Sequence, residues 1–163
     1  MLQPSDVEWT DPECPVARAA DLVGDKWSLL IIRDSLDGKH RFSEYERSLG
    51  VAKNILSDRL RLLVDRGVLD RAPNDRGTRS EYQLTEAGRD LFTVILSLRQ
   101  WGERNAFGAK EHHSVLMDPA TGQPVPRLRP LGDSGTELKP EQTLLVKVGQ
   151  TLPEGSPPPV AGK

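Results

Sequence analysis

Residues 49–82 hold the side chains best suited to recognition chemistry. Leu56, Leu60 and Leu63 fall at i, i+4 and i+7 and form one apolar ridge. At 100° per residue the opposite side carries Asn54, Asp58 and Arg61, flanked by Lys53 and Ser57. A carboxamide, a guanidinium and an ammonium on a solvated helix face are the groups that hydrogen-bond base edges and phosphates in a major groove. Gly67 stops the helix, with Arg66 in its last turn, where a cation suits the dipole. Two β-prone runs follow, residues 68–72 and 82–84, around the turn Pro73-Asn74-Asp75-Arg76-Gly77. Arg76, Thr78 and Arg79 stand at the tip of that hairpin, placed for phosphate contact. An ordinary surface helix followed by an ordinary hairpin carries the same pattern, so this stretch alone leaves both readings open.

Other chemistries have fewer residues to stand on. Glu111-His112-His113 has metal-like composition, but adjacent histidines diverge and no cysteine or second carboxylate is spaced to complete a site, so a solvated loop is expected. No Ser-His-Asp grouping, phosphate loop or paired carboxylate is readable, so the chain does not read as an enzyme and no cofactor is expected. Cys14, alone of its type, has two readings: a small residue packed before a helix, or a redox or electrophile sensor.

The 163 residues, 36% hydrophobic and 28% charged, suit one medium domain with an appendage. No apolar run approaches the ~20 residues of a membrane span. Residues 1–10 include Pro4, Asp6 and Glu8 and do not read as a signal peptide; with one cysteine, a cytoplasmic protein is expected. The net charge of −2 is unevenly spread. Residues 1–38 hold three basic and eight acidic side chains, whereas residues 39–79 hold ten basic and six acidic. The positive excess therefore coincides with the suspected binding segment, which is the distribution that matters.

The elements that must position that segment can be read in order. Residues 1–13 form a polar arm. Pro15 opens a short helix to Val23 with Val16, Ala20 and Val23 inward, and Asp25 caps a second helix to Leu36 with Trp27 in the core. Ser43-Glu44-Tyr45-Glu46 reads as a capping box starting a two-turn helix, and Gly50 makes the turn into residues 52–66. Short helix, glycine turn, longer helix and hairpin, in that order, is a winged helix-turn-helix with its wing at residues 69–84. Ile55 and Leu62 are expected to pack under the wing. Arg59 is expected to be a structural ion-pair partner, to Asp65 or Asp34. Thr85 caps one long helix, residues 86–105, whose stripe Leu91, Val94, Ile95, Leu98 and Trp101 needs a cover, supplied by the first helices or by a second subunit. Residues 108–163 contain nine prolines and seven glycines; a small β-rich extension over 108–152, with a strand at 144–148, and a disordered tail over 153–163 are expected.

These pieces resemble the HxlR-type branch of the MarR-like winged-helix transcriptional regulators. Cys14-Pro15-Val16, Gly24-Asp25-Lys26-Trp27-Ser28-Leu29-Leu30-Ile31, Arg41-Phe42-Ser43-Glu44-Tyr45, Leu56-Ser57-Asp58-Arg59-Leu60 with Leu63 and Gly67-Val68-Leu69, and Tyr82-Gln83-Leu84-Thr85-Glu86-Ala87-Gly88 carry the likeness in the family's order. Ala52 departs from the family's usual Ser or Thr cap, a loss of ~1 kcal/mol. Thr121-Gly122 and Ser134-Gly135 stand where some members carry paired Cys-Gly motifs, so no thiolate cage is expected. The resemblance implies an α+β, mainly α, winged helix-turn-helix domain over 14–107 with a long C-terminal dimerisation helix. It implies a homodimer that represses transcription on a pseudo-palindromic operator in double-stranded DNA, with no membrane partner and with a small-molecule effector left open. Lys53, Asn54, Ser57, Asp58 and Arg61 would face bases or flanking phosphates, and Arg41, Ser43, Arg76, Thr78 and Arg79 the backbone. Leu91, Val94, Ile95, Leu98 and Trp101 would form the dimer interface, and the cysteine at this motif position is a sensor in some members. The competing reading is a winged-helix module that binds proteins.

Overall fold

A computed structural model of the chain describes residues 7–73 and 80–151. Six helices and two short antiparallel ladders follow one another among these residues: α1 (Pro15–Val23), α2 (Lys26–Leu36), α3 (Phe42–Leu49), α4 (Lys53–Asp65), β1 (Leu69–Pro73), β2 (Ser80–Leu84), α5 (Glu86–Asp90), α6 (Phe92–Asn105), β3 (Met117–Asp118) and β4 (Gln123–Pro124). This is a winged helix, with β1 and β2 as the wing.

Its core forms where the helix-turn-helix folds onto α2. Ile31 and Ile32 of α2, Tyr45 of α3, and Leu56, Leu60 and Leu63 of α4 are fully buried, with Val68 and Leu69 closing the end. Asp25 caps α2 as its residue type demands, its Oδ1 accepting the Trp27 and Ser28 amides at 3.0 and 3.2 Å. At the far end of α4, Arg66 donates to the Asp21 and Leu22 carbonyls, which ties α1 to the recognition helix.

The wing is fastened at both edges. Leu69 pairs with Leu84 and Pro73 with Ser80 in an antiparallel register. Outside that ladder, the Tyr82 amide donates to the His40 carbonyl at 2.8 Å, which ties β2 to the link between α2 and α3. Thr85 then locks the wing's exit: its hydroxyl donates to the Gly67 carbonyl at 2.7 Å and accepts the Gly88 amide at 3.0 Å. The approach is so close that a Cβ on Gly88 would stand 2.2 Å from the Val68 oxygen, so only glycine fits there.

Several sequence expectations are corrected. α3 begins at Phe42 and Glu44 replaces Glu46 as its reciprocal cap, accepting the His40 and Arg41 amides at 3.0 and 2.9 Å. Two amide donors hold the Glu44 carboxyl below its ordinary value. The single helix over 86–105 is two, broken at Leu91 beyond the weak helix formers Gly88 and Asp90; the break lets α5 follow the wing while α6 lies on α2. Of the α1 residues expected inward only Val23 is buried; Val16, 76% exposed, and Ala20 point out, and Trp27 is half-buried with the Lys26 ammonium 4.6 Å from its ring centre.

The chain divides after Pro126 into two compact units, not at residues 107–108 where its composition changes. Residues 108–126 are held by α6: Arg99 donates to the Ser114 carbonyl and hydroxyl at 3.2 and 3.0 Å, and Gln100 to the Pro126 carbonyl at 3.0 Å. The small β3–β4 hairpin belongs to this first unit. In the second, the described residues contain one isolated bridge, Leu131 with Glu137, and a 3-10 turn at Pro140–Gln142. No strand forms at 144–148, because no neighbouring backbone pairs with it; Leu145 is 78% exposed. The tail over 153–163 lies outside the described residues.

Tyr45 makes the core sensitive to base. Its hydroxyl donates to the Lys39 carbonyl at 2.7 Å and lies 2.8 Å from the Ser35 hydroxyl, and burial pushes its pKa up to about 12. A phenol whose folded value exceeds its unfolded value of about 10 contributes fully below that value and loses its contribution as pH rises through the folded one. Urea midpoints should therefore fall between pH 10 and about 12. Tyr45→Phe should cost about 1 kcal/mol at neutral pH and show a shallower alkaline fall.

Candidate nucleic-acid interface

The turn before α4 needs Gly50, which sits at φ 59° and closes α3 through its amide to the Glu46 carbonyl at 3.0 Å. Ala52 starts α4 with no side-chain cap, as its residue type dictates. Because Leu56, Leu60 and Leu63 are fully buried, the helix has one rotational setting, and it turns Lys53, Asn54, Ser57, Asp58 and Arg61 to solvent. All five expected base-facing residues thus share one exposed face.

The cations of that face are paired within the chain. Lys53 Nζ lies 3.4 Å from Glu46 Oε1, and Arg61 Nη2 donates to Asp58 Oδ1 at 2.9 Å. Both cations are more than 70% exposed, and pairs in such surroundings contribute ~0–1 kcal/mol, so they exchange readily for phosphate or base. Ile55 is only partly covered, 37% exposed, at the margin of the face, and Leu62 is half-buried.

Arg59 has a different role. Its Nε is 3.3 Å from Asp25 Oδ1, the carboxylate that caps α2, which corrects the expected partners Asp65 and Asp34. Asp34, buried at the other end of α2, is already held by Arg33 at 2.7 Å and Lys39 at 3.3 Å. Arg59 therefore joins α4 to α2 and is not free for a ligand.

Arg41 and Ser43 are exposed at the start of α3. Arg41 donates from Nε to Glu81 Oε1 of β2 at 2.9 Å, and His40 Nε2 is 3.7 Å from the other oxygen, so the wing and the helix-turn-helix share one ionic contact. Arg76, Thr78 and Arg79 lie outside the described residues. Two exposed arginines that the sequence reading did not single out border the same region. Arg47 is one turn after Ser43 on α3, and Arg71 on β1 has its guanidinium 6.0 Å from the Tyr82 ring centre. Both belong to the basic block 39–79, which was the available signal.

Beyond this face, the α6 stripe divides. Leu91 and Ile95 pack partly against the core of their own chain, whereas Val94, Leu98 and Trp101 are 49%, 49% and 57% exposed. Cys14 is the N-cap of α1, with its Sγ 3.5 Å from the Ala17 amide. Among the described residues no group of three or more His, Cys, Asp or Glu side chains could hold a metal, and no helix is long and apolar enough to cross a membrane.

With this geometry in view, a model of the HxlR-like helix-turn-helix matches residues 22–110, more than half of the chain. The chain belongs to the HxlR-like helix-turn-helix family. Its relatives are transcriptional regulators, a class without enzymatic activity. An uncharacterised HTH-type transcriptional regulator of Mycobacterium tuberculosis (strain CDC 1551 / Oshkosh) is 51% identical over 54% of this chain and 56% of its own length. The chain thus spans little more than half the length of that relative. Among solved structures, PA1607, described as a candidate transcription factor, is 46% identical and superposes with a TM-score of 0.81 over 83% of this chain and 96% of that one. The redox regulator HypR in its oxidised form is 35% identical, with a TM-score of 0.52 over 56% of this chain and 97% of that one. The HxlR-like match spans the helix-turn-helix, the wing and α6, and ends within the segment that α6 holds.

Structural and recognition roles on α4 separate under mutation. Asp25→Ala should cost about 1–2 kcal/mol in urea unfolding through loss of the cap. Arg59→Ala should cost up to about 1 kcal/mol, since its pair is partly exposed. Lys53→Ala and Arg61→Ala should stay within about 0.5 kcal/mol of the parent.

Proposed function

We propose that the protein is a sequence-specific DNA-binding transcriptional repressor that acts as a homodimer in the cytoplasm on nucleoid DNA. The observation that carries this reading is the exposed face of α4, whose carboxamide, hydroxyl and cations stand on a helix with a single rotational setting. Lying in the major groove, that face brings Asn54 to an adenine edge and Lys53 or Arg61 to guanine or phosphate, with Ser57 and Asp58 beside them. Arg41 and Ser43 fall on the backbone, and the wing residues Arg76, Thr78 and Arg79 are assigned to it as well.

The dimer is proposed to close over Val94, Leu98 and Trp101 of α6 together with the exposed Val16 of α1, and Leu91 and Ile95 support that face from beneath. A two-fold pair reading one side of DNA places its half-sites about 34–36 Å apart, hence a pseudo-palindromic operator. The extension after Gly108 is taken to fix the spacing between the two recognition helices without touching DNA. A second reading, thiol-based sensing through Cys14, is favoured by its place at the N-terminus of α1 and by the likeness to HypR. If it holds, diamide should release DNA from the parent and leave Cys14→Ser bound.

Gel shifts against the DNA upstream of the chain's own gene test the main reading. Asn54→Ala and Arg61→Ala should each lose ~1–3 kcal/mol on specific DNA and relax base preference. Arg41→Ala should weaken all sequences about equally and flatten the salt dependence. Absent or salt-insensitive DNA binding would favour the protein-binding module instead. Sedimentation at micromolar concentration should give a dimer that Trp101→Glu shifts to monomer; a monomeric parent would remove the dimer from the proposal.

A further inference from the structure

The joint between the helix-turn-helix and the wing contains an imidazole. His40 Nδ1 lies 2.9 Å from the Gly38 carbonyl oxygen. A carbonyl only accepts, so Nδ1 holds a hydrogen and Nε2 is the atom left to gain or lose a proton. Nε2 is 3.7 Å from Glu81 Oε2 on β2. A neutral ring sets a lone pair against that carboxylate, whereas a charged ring sets an N–H there.

Glu81 already serves a second cation. Its Oε1 accepts from Arg41 Nε at 2.9 Å. The Glu81 side chain is 13% exposed, whereas those of His40 and Arg41 are 42% and 55% exposed. The other charged groups of the neighbouring elements are accounted for. Glu44 of α3 accepts the His40 and Arg41 amides, which hold it ionised where imidazoles titrate. Lys39 is turned to Asp34, Asp37 is exposed at the end of α2, and Arg71 of β1 lies by the Tyr82 ring. Among the described residues, the imidazole therefore meets two carboxylates, Glu81 and Glu44, and one competing guanidinium.

We infer that His40 is a positioning residue for DNA binding: its protonation draws Glu81 onto the imidazolium and releases Arg41 to a backbone phosphate. The proton comes from solvent and stays on Nε2. With the ring charged, Glu81 divides its attraction between two cations, and the hold on the more exposed Arg41 weakens. DNA affinity then rises as pH falls, and bound DNA in turn favours the protonated ring. The inference rests on the DNA-binding reading above, in which Arg41 falls on the backbone. The contact is with phosphate, so the effect extends to DNA of any sequence.

Two measurements on the full chain test this. In NMR titrations of the free protein, the His40 ring, identified by its loss in His40→Gln, should titrate at lower pH in Glu81→Gln than in the parent. An unchanged midpoint would overturn the coupling. Anisotropy titrations with a random-sequence duplex read the consequence. Between about pH 8 and about pH 5.5, the range in which histidine changes charge, parent affinity should rise with acid. The part of that rise lost in His40→Gln should be about two- to fivefold, the scale of one exposed ion pair. His112 and His113 remain in that variant, so the difference isolates His40. The parent's log–log salt slope should steepen by about 0.9 at the acid end, one phosphate more. Glu81→Gln should bind at pH 8 as tightly as the acidified parent, and Arg41→Ala should lack the His40-dependent response. A Glu81→Gln protein that keeps this response overturns the positioning role, because His40 would then touch phosphate itself. DNA binding with no His40-dependent response overturns the inference and leaves the repressor reading standing. Absence of DNA binding at every pH removes the repressor reading, and the role of His40 with it.

Discussion

Three leucines decide which way the recognition helix faces. Leu56, Leu60 and Leu63 are fully buried against Ile31 and Ile32 of α2, and removing any one of them would leave a cavity costing about 2–5 kcal/mol. A helix held by one ridge at i, i+4 and i+7 cannot roll without exposing it. The identity of every outward residue on α4 follows from that constraint, and so does the inward turn of Val51 just before it. The Asp25–Arg59 ion pair adds a polar pin beside the apolar one, coupling the start of α2 to the middle of α4.

The wing depends on the same core from its other side. Val68 and Leu69 are buried in it, and the hairpin then leaves along a path fixed by Thr85 and Gly88. The His40 carbonyl and the Glu81 carboxylate bind the wing to the entry of α3, so helix-turn-helix and wing move as one body. Under the proposed DNA reading this tie matters, because a wing free to drift would lose the register that phosphate contacts would set.

Most of this was legible from periodicity and punctuation. The ridge of α4, the cap at Asp25, the left-handed turn at Gly50 and the order of elements follow from spacing and residue type alone. What escaped depends on tertiary neighbours. Ser43 and Glu46 satisfy the capping-box pattern, but packing of Phe42 on the core starts α3 earlier and hands the role to Glu44. Arg59 had several carboxylates within plausible reach, and only the fold shows that Asp34 is occupied. The stripe on residues 91–101 reads as one apolar face, yet the break at Leu91 turns part of it into the chain's own core. Residues 144–148 have strand composition, but a strand is a property of two segments, and the second is missing among the described residues.

The pairing of the exposed cations has a consequence for search along DNA. Lys53 with Glu46, Arg61 with Asp58 and Arg41 with Glu81 offset part of the positive excess on the proposed reading surface. Fewer counterions are displaced by such a surface than its arginines and lysines would suggest, so attraction to arbitrary sequence is damped. Dwell times on random sites shorten accordingly. Residence on a cognate site then rests on hydrogen bonds good enough to draw each cation away from the carboxylate that already holds it.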